Sequence, residues 1–245
     1  MVESYALHIA RQLAPHEFER LLSHVSEERQ GRIRRFLFFT DAQRALLGEL
    51  LARYAVHERS GIHRDRIRFG LNPDGKPVLV HPDGLCFNIS HAGDWVVCAL
   101  DHDPVGIDVE NIKPFNPGIA ERFFSPEEYL ELVRQKDDAM IEYFYRIWTL
   151  KESYVKMIGK GLNTSLSSFT IRISGDAIML RHDREDGHPP TYFHQEKLMT
   201  SFLAISARNK LFSALKFVRL DDLIQNFSGI SDNLNDNIEA SIGYA

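Results

Sequence analysis

Hydrophobic residues recur at helical spacing in two stretches near the start of the chain. An apolar stripe beginning at Phe18 predicts a helix over residues 15–30, and a leucine-rich stripe predicts a long helix from about 40 to 58. Short apolar runs then alternate with clusters of Gly, Pro, Asn and Asp, which predicts strands joined by turns. These predicted strands are 67–69, 78–80, 86–89, 95–100 and 107–109.

The order of helices before strands then begins again. A short helix is predicted at 119–124, and another begins after Ser125, where Pro occupies the first helical position. A long helix over 138–158 ends where Gly159 and Gly161 interrupt it. Further strands are predicted at 169–173, 177–180, 191–194, 202–206 and 214–218. The pattern therefore predicts an α+β fold made of two halves with the same element order.

We place the halves at residues 1–110 and 111–222, followed by a flexible acidic tail over 223–245. The net charge is −5, but 5 of the 34 acids and none of the 29 basic residues lie after residue 220. The preceding body is therefore neutral, whereas a general nucleic-acid binder carries a broad basic excess. The charge pattern argues against a nucleic-acid partner.

The composition is that of a soluble globular protein. No apolar run approaches the ~20 residues that span a bilayer, and residues 1–5 lack the basic and apolar segments of a secretion signal. The two cysteines, Cys86 and Cys98, lie in strand-like apolar runs, which suits reduced core residues. We therefore expect a cytoplasmic protein without a membrane partner.

Carboxylates repeat on one face of the last strand predicted in the first half. Asp108 and Glu110 are two residues apart, so both lie on the face opposite Ile107 and Val109. Neighbouring acids repel each other unless a cation lies between them. The alternatives are the solvated outer face of an edge strand and a cation site. The nearby Gly106 permits close approach of a backbone or a ligand.

A second group of polar residues lies on the long helix of the second half. Trp148, Glu152 and Lys156 are one turn apart on one face. Glu152 and Lys156 alone would be an ordinary surface ion pair. If this helix crosses the Asp108 strand, three carboxylates converge, and such a set suits Mg²⁺ bound together with phosphate oxygens. Lys156 would then place a positive charge against the phosphates.

Other polar positions allow both a structural and a functional interpretation. Ser90 and His91, at a strand end, either cap a turn or bind phosphate. An N-terminal group of arginines is either a solvated helical face or a site for a terminal phosphate. Glu128 completes a capping box with Ser125, or accepts a proton from an incoming hydroxyl. The arginines are Arg29, Arg32, Arg34, Arg35 and Arg44.

Taken together, these motifs resemble the 4′-phosphopantetheinyl transferases of the larger, Sfp type, over roughly residues 5–220. The matching runs are FNISH at 87–91, VGIDVE at 105–110, RFFSPEEY at 122–129 and WTLKESYVK at 148–156, with GKP at 75–77 and DAQR at 41–44. The resemblance implies two similar α+β halves related by a pseudo-twofold, each with helices on a small antiparallel sheet and with coenzyme A in the cleft between them. It also implies a monomer.

The resemblance implies an enzyme, a holo-[carrier-protein] synthase. It would transfer 4′-phosphopantetheine from coenzyme A to a serine of an apo acyl or peptidyl carrier protein of non-ribosomal peptide or polyketide synthesis, and release adenosine 3′,5′-bisphosphate. By motif position, the ligands of Mg²⁺, or alternatively Mn²⁺, would be Asp108, Glu110 and Glu152. Catalytic residues would be Glu152, Glu128, Lys156 and His91. Contacts to coenzyme A would come from Arg29, Arg32, Arg44, Gly75, Lys76, Asn88, Ser90, His91 and Lys156.

Two roles remain open on the sequence alone. The base that takes the serine proton is Glu152 or Glu128. The carrier surface is expected at residues 115–132, where Phe123, Phe124 and Tyr129 are either contacts or core. The rival functions are a non-catalytic carrier-protein binder with the same fold and a magnesium-dependent phosphohydrolase that needs no carrier.

Overall fold

The structure is a computed structural model, and it describes residues 1–160, 164–182 and 187–228. The helices are α1 (Pro15–Leu22), α2 (Glu27–Ile33), α3 (Phe39–Ser60), α4 (Pro117–Phe123), α5 (Pro126–Arg134), α6 (Asp137–Ile158) and α7 (Leu220–Ser228). The strands are β1 (Glu3–His8), β2 (Arg68–Leu71), β3 (Pro77–His81), β4 (Cys86–Ala92), β5 (Trp95–Asp101), β6 (Val105–Asn111), β7 (Phe169–Ser174), β8 (Ala177–His182), β9 (Tyr192–Leu198), β10 (Ser201–Ala207) and β11 (Lys216–Val218).

The chain contains two α+β units with the same element order, which confirms the predicted fold class. In each unit a 22-residue helix, α3 or α6, packs on three antiparallel strands. The sheet order is β11–β1–β5–β4 in the first unit, where β11 pairs in parallel with β1, and β6–β10–β9 in the second. A separate hairpin accompanies each sheet. Both long helices end at a glycine with positive φ, Gly61 at +70° and Gly159 at +73°, a conformation that glycine adopts without strain.

A shared core joins the two units. Apolar residues of β5, such as Val97, pack with Ile107 of β6 and Leu203 of β10 in one buried cluster. Two further clusters lie under α3 and under α6. The faces of the two sheets turned away from the long helices therefore pack together, and the unit boundary is itself buried.

The structure differs from the sequence prediction in three segments. The helix predicted over 15–30 is two helices, α1 and α2, with a break between them. Strand β1 escaped prediction because its residues from Glu3 to Leu7 are all buried, so no polar alternation marks it. Residues 223–228, predicted as the start of a flexible tail, belong instead to α7, in which Leu223 and Phe227 are buried.

The predictions about the C-terminal tail, about Gly161 and about the boundary at residue 110 remain. Residues 229–245 and Gly161 lie outside the described part of the chain. The boundary at residue 110 stays a prediction. The repeated strand order would start the second unit at β6, because β6 pairs with β10, with Asp108 opposite Ala204. Among the described helices, none combines the length and apolar character needed to cross a membrane.

Candidate active site

The candidate site lies where β4 of the first unit meets β6 of the second. Two side chains of β4 bind the backbone of β6: Asn88 Oδ1 accepts from Ile107 N at 2.9 Å, and Ser90 Oγ accepts from Val109 N at 3.4 Å. Both side chains are buried. Asn88 therefore holds the two units in register at this point, a structural role, although it also lines the adjacent cleft.

Gly106 allows α6 to pack directly on β6. A Cβ atom at this position would lie 2.0 Å from Ser153 O and 2.4 Å from Met157 N, far inside any van der Waals contact. The hydroxyls of Ser153 and Ser206 lie 2.6 Å apart in the same interface. This close packing brings the Glu152–Lys156 face of α6 over the acidic face of β6.

Asp108, Ser90 and Lys156 form one hydrogen-bonded group. Lys156 Nζ donates to Asp108 Oδ1 at 2.6 Å and to Ser90 Oγ at 2.9 Å, and Ser90 Oγ lies 2.9 Å from Asp108 Oδ1. Asp108 is only 3% exposed. Its second oxygen, Oδ2, is buried and has no hydrogen-bond partner among the described residues. A buried, unsatisfied carboxylate oxygen is costly and suits an additional cationic ligand.

Glu110 and Glu152 lie close enough to Asp108 to be affected by its charge. Burial, and then the charges of Asp108 and Glu152, raise the pKa of Glu110 to about 7. Burial and the charge of Asp108 also raise the pKa of Glu152, while Lys156 opposes the shift. As the side chains stand, no group of three or more Asp, Glu, His or Cys residues in the described ranges is arranged to hold a metal ion. The three carboxylates are thus electrostatically coupled but not yet in coordination geometry.

Lys76 contacts the end of α6. Its ammonium donates to Lys156 O at 2.5 Å and lies 3.4 Å from Met157 O and from Val105 O. The turn between β2 and β3 also supports this contact, since Lys76 N donates to Asn72 Oδ1. Burial lowers the pKa of Lys76. Lys76 therefore binds the last carbonyls of the helix that carries Lys156, where the helix dipole favours a cation.

A cleft of about 740 Å³ opens beside these residues. The first unit contributes Gly75, Lys76 and Asn88, and the second contributes Glu152 and Lys156. The remaining lining residues are Asp74, Pro77, Ile89, Arg122, Phe123, Val155, Gly159, Thr164, Ser165 and Leu166. The cleft thus places both units around the Asp108 group.

A second cavity of about 440 Å³ shares Pro77 and Ile89 with the cleft. Arg29 and Arg32, two of the arginines considered for a terminal phosphate, line it, but each has an acidic partner. Arg29 Nε lies 3.2 Å from Glu49, and Arg32 Nη2 lies 2.6 Å from Glu28. Two further arginines, Arg53 and Arg68, also line this cavity. Sequence reasoning missed them because they lie outside the N-terminal arginine group.

His91 and Arg44 lie near the start of α3. Arg44 donates to Gly93 O at 2.9 Å and to Asp41 Oδ1 at 2.6 Å. Neighbouring atoms displace water from part of the His91 ring, and this desolvation lowers its pKa, as do the charges of Arg44 and Lys156. His91 is therefore close to the positive groups of the site, and its neutral form is favoured.

Glu128 is not in the cleft. It is 1% exposed, its carboxylate accepts from Ser125 N at 2.7 Å and Ile171 N at 2.6 Å, and it forms an ion pair with buried Lys151 at 2.8 Å. The capping box with Ser125 is confirmed. A carboxylate enclosed in this way cannot reach an incoming hydroxyl, so the prediction of Glu128 as the base is corrected. Sequence reasoning also missed Lys151, the other half of the pair.

Of the three aromatic residues proposed for the carrier surface, one lines the cleft and two pack against the core under α6. Phe124 is 3% exposed and belongs to the core under α6. Phe123 lines the cleft and meets Trp148 edge to face at 5.8 Å between ring centroids. Tyr129 is half-buried against the same core. Trp148 also stacks on Phe144, so the indole supports the wall of the cleft.

Comparisons with known proteins match both units. Residues 12–103 match the family described as "4′-phosphopantetheinyl transferase, N-terminal", and residues 104–207 match the "4′-phosphopantetheinyl transferase superfamily". The 4′-phosphopantetheinyl transferase Sfp of Bacillus subtilis is 40% identical over 188 residues, 77% of this chain and 84% of that protein. The 4′-phosphopantetheinyl transferase gsp of Aneurinibacillus migulanus is 34% identical over 239 residues, covering 96% of this chain and all of that protein.

The chain is also similar to a second protein of Bacillus subtilis and to one solved structure. The 4′-phosphopantetheinyl transferase ffp of Bacillus subtilis is 43% identical over 172 residues, 70% of this chain and 77% of that protein. A crystal structure of a holo-(acyl-carrier-protein) synthase from Bacillus anthracis aligns with a TM-score of 0.38 and 18% identity, covering 42% of this chain and 93% of that one.

Proposed function

Because this chain belongs to the 4′-phosphopantetheinyl transferase superfamily, we propose that its cleft joins coenzyme A to a carrier protein through the Asp108 group. The chain is an enzyme that transfers the 4′-phosphopantetheine moiety of coenzyme A to a carrier protein. One observation supports this site above others: Ser90, Asp108 and Lys156 converge where the two units meet, beside a cleft that both units line.

The donor set fits a hard divalent cation. Asp108 Oδ2 is buried and has no hydrogen-bond partner within the described ranges, and burial and the charge of Asp108 raise the pKa values of Glu110 and Glu152. A cation relieves both costs at once. We propose that Asp108, Glu110 and Glu152 hold Mg²⁺, with Mn²⁺ as an alternative. When bound, the metal would neutralise negative charge on the pyrophosphate of coenzyme A.

The residues of the chain perform the remaining tasks. Lys156 and Ser90 present donors to the phosphates, and Lys156 stabilises the charge that develops on the leaving group. Glu152 is the proposed base, because its side chain lines the cleft, whereas the carboxylate of Glu128 is enclosed by its own partners. It takes the proton of the carrier serine as the serine oxygen bonds to the β-phosphorus. The bond from that phosphorus to the oxygen of adenosine 3′,5′-bisphosphate breaks.

Positions farther from the reacting atoms would bind the rest of coenzyme A. Arg29 and Arg32, in the arginine-lined cavity, are proposed to hold the 3′-phosphate. Arg44 and His91 add positive and polar groups near the start of α3. Gly75 lines the cleft in the β2–β3 turn, where it has a positive φ of +82°, and Lys76 holds the end of α6. We propose carriers of non-ribosomal peptide or polyketide synthesis as partners. The monomeric state and the cytoplasmic location stay predictions.

The decisive experiment is mass spectrometry of an apo carrier protein incubated with this enzyme, coenzyme A and Mg²⁺. We expect the carrier to gain one phosphopantetheine unit at its serine. A non-catalytic binder would bind coenzyme A and leave the carrier mass unchanged. A phosphohydrolase would release phosphopantetheine without any carrier. Either of these results would rule out the transferase assignment.

A further inference from the structure

Glu128 and Lys151 form a buried ion pair that the proposed reaction does not use. The side chains are 1% and 0% exposed, and Lys151 Nζ lies 2.8 Å from Glu128 Oε2. The ammonium also lies 4.1 Å from the centre of the Phe169 ring. Replacing such a pair with uncharged residues often leaves stability unchanged, because desolvation offsets the attraction. Its presence therefore calls for an explanation other than stability.

The pair connects the segment after α6 to two helices. Lys151 Nζ donates to Leu166 O and to Phe169 O, both at 2.7 Å. Glu128 accepts from Ile171 N and, at the start of α5, from Ser125 N. These directional bonds fix the backbone of residues 166–171 relative to α5 and α6.

That segment begins as a wall of the cleft. Thr164, Ser165 and Leu166 line the cleft together with Glu152 and Lys156. Lys151 precedes Glu152 on α6, and successive side chains on a helix point about 100° apart. Glu152 therefore faces the cleft, while Lys151 binds the segment that forms one wall of the cleft.

We propose that the Glu128–Lys151 pair is a positioning device that fixes the 164–166 wall relative to Glu152 and thereby sets the affinity for coenzyme A. The inference rests on the proposed function, since it names coenzyme A as the ligand. Both members are positioning residues, because neither reaches the cleft. A small displacement of a cleft wall is enough to weaken binding, since ligand contacts depend on sub-ångström placement.

The experiment uses the double variant Glu128→Gln/Lys151→Met in the full chain, which removes both charges together. We expect urea unfolding close to wild type, a Kd for coenzyme A about tenfold weaker by calorimetry, and faster hydrogen exchange in residues 164–171. If that variant does not fold, Glu128→Gln/Lys151→Gln, which keeps some amide hydrogen bonding, should weaken coenzyme A binding and speed exchange in the same direction but by less. The control is Glu3→Gln/Lys216→Met, which removes a less buried pair 2.6 Å apart between β1 and β11. It should leave the Kd for coenzyme A and the exchange of residues 164–171 unchanged.

Two outcomes would overturn the proposal. Wild-type affinity and wild-type exchange in a folded double variant would mean that the pair only packs the second unit. A folded Glu128→Gln single variant that loses kcat while affinity and exchange stay normal would mean that Glu128 acts chemically. Exchange is measured without coenzyme A, so it decides the positioning role even if the wild-type protein failed to bind coenzyme A and the proposed function fell.

Discussion

Lys156 donates a 2.6 Å hydrogen bond to Asp108 Oδ1 across the packing of α6 on β6. The bond joins two residues 48 positions apart in the chain and neutralises one carboxylate oxygen. The other oxygen is buried and has no partner in the part of the chain that the structure describes. Lys156 therefore occupies one oxygen of Asp108, and Oδ2 is left to bind a metal ion.

Replacing Asp108 with Asn should abolish transfer. The amide keeps the shape of the side chain but removes the charge that pairs with Lys156 and that would bind the metal. We expect kcat to fall by about a hundredfold or more, with thermal unfolding close to wild type. The control is Asp103→Asn, at an exposed position in the loop between β5 and β6. Near-normal transfer by Asp108→Asn would remove Asp108 from the reaction.

Magnesium should stabilise the wild-type protein and should be required for transfer. A ligand that binds only the folded state raises the free energy of unfolding by mass action. We expect a higher Tm with Mg²⁺ and coenzyme A than with coenzyme A alone, and no such difference in Asp108→Asn. Transfer in an excess of chelator, with Tm unaffected by Mg²⁺, would show that the carboxylates work without a metal.

Gly106→Ala should separate α6 from β6. The added Cβ would lie 2.0 Å from Ser153 O, and neither backbone can move without disturbing the site. We expect a loss of about 3 kcal/mol or more in unfolding free energy, together with loss of transfer. Gly31→Ala is the matched control, since no atom of the described residues lies within 4 Å of a Cβ placed there, and it should stabilise α2 slightly. Equal stability of the two variants would contradict the close packing.

Arg29→Ala/Arg32→Ala should weaken recognition of the 3′-phosphate. We expect KM for coenzyme A to rise about tenfold or more, with little change for 3′-dephospho-coenzyme A. Arg34→Ala, which breaks an exposed pair with Glu19 away from the cavity, should change neither value. A parallel loss for both ligands would place the arginines elsewhere on the coenzyme.

Glu17 should make stability depend on pH. Hydrogen bonds from Arg11, and then from Ala14 N, lower the pKa of Glu17 from 4.5 to about 2. A depressed pKa stabilises the fold above the unfolded value, and this contribution is lost as pH falls from about 4.5 towards 2. Glu17→Gln should therefore lower the free energy of unfolding by about 1 kcal/mol near neutral pH. The difference should shrink as the pH falls below 4.5. Urea unfolding across that range measures the difference, with exposed Glu121→Gln as the control.

Local patterns in the sequence were enough to predict the long helices, most strands and the motifs of the site. Asp108 and Glu110 follow the two-residue alternation of a strand, with Ile107 and Val109 buried on the other face, as expected. These features depend on neighbours within a few residues, so the periodicity of the chain contains them. The repeated element order likewise indicated two similar halves.

Contacts between distant residues decided the rest. Strand β1 carries no alternation because α3 covers one face and the shared core the other, so only the folded chain identifies it. The roles of Glu128 and Lys76 depended on partners 23 and 80 positions away, Lys151 and the carbonyl of Lys156. A carboxylate or an ammonium has the same local sequence signal whether it faces solvent, a buried partner or a ligand. The tertiary structure alone determines which of these it meets.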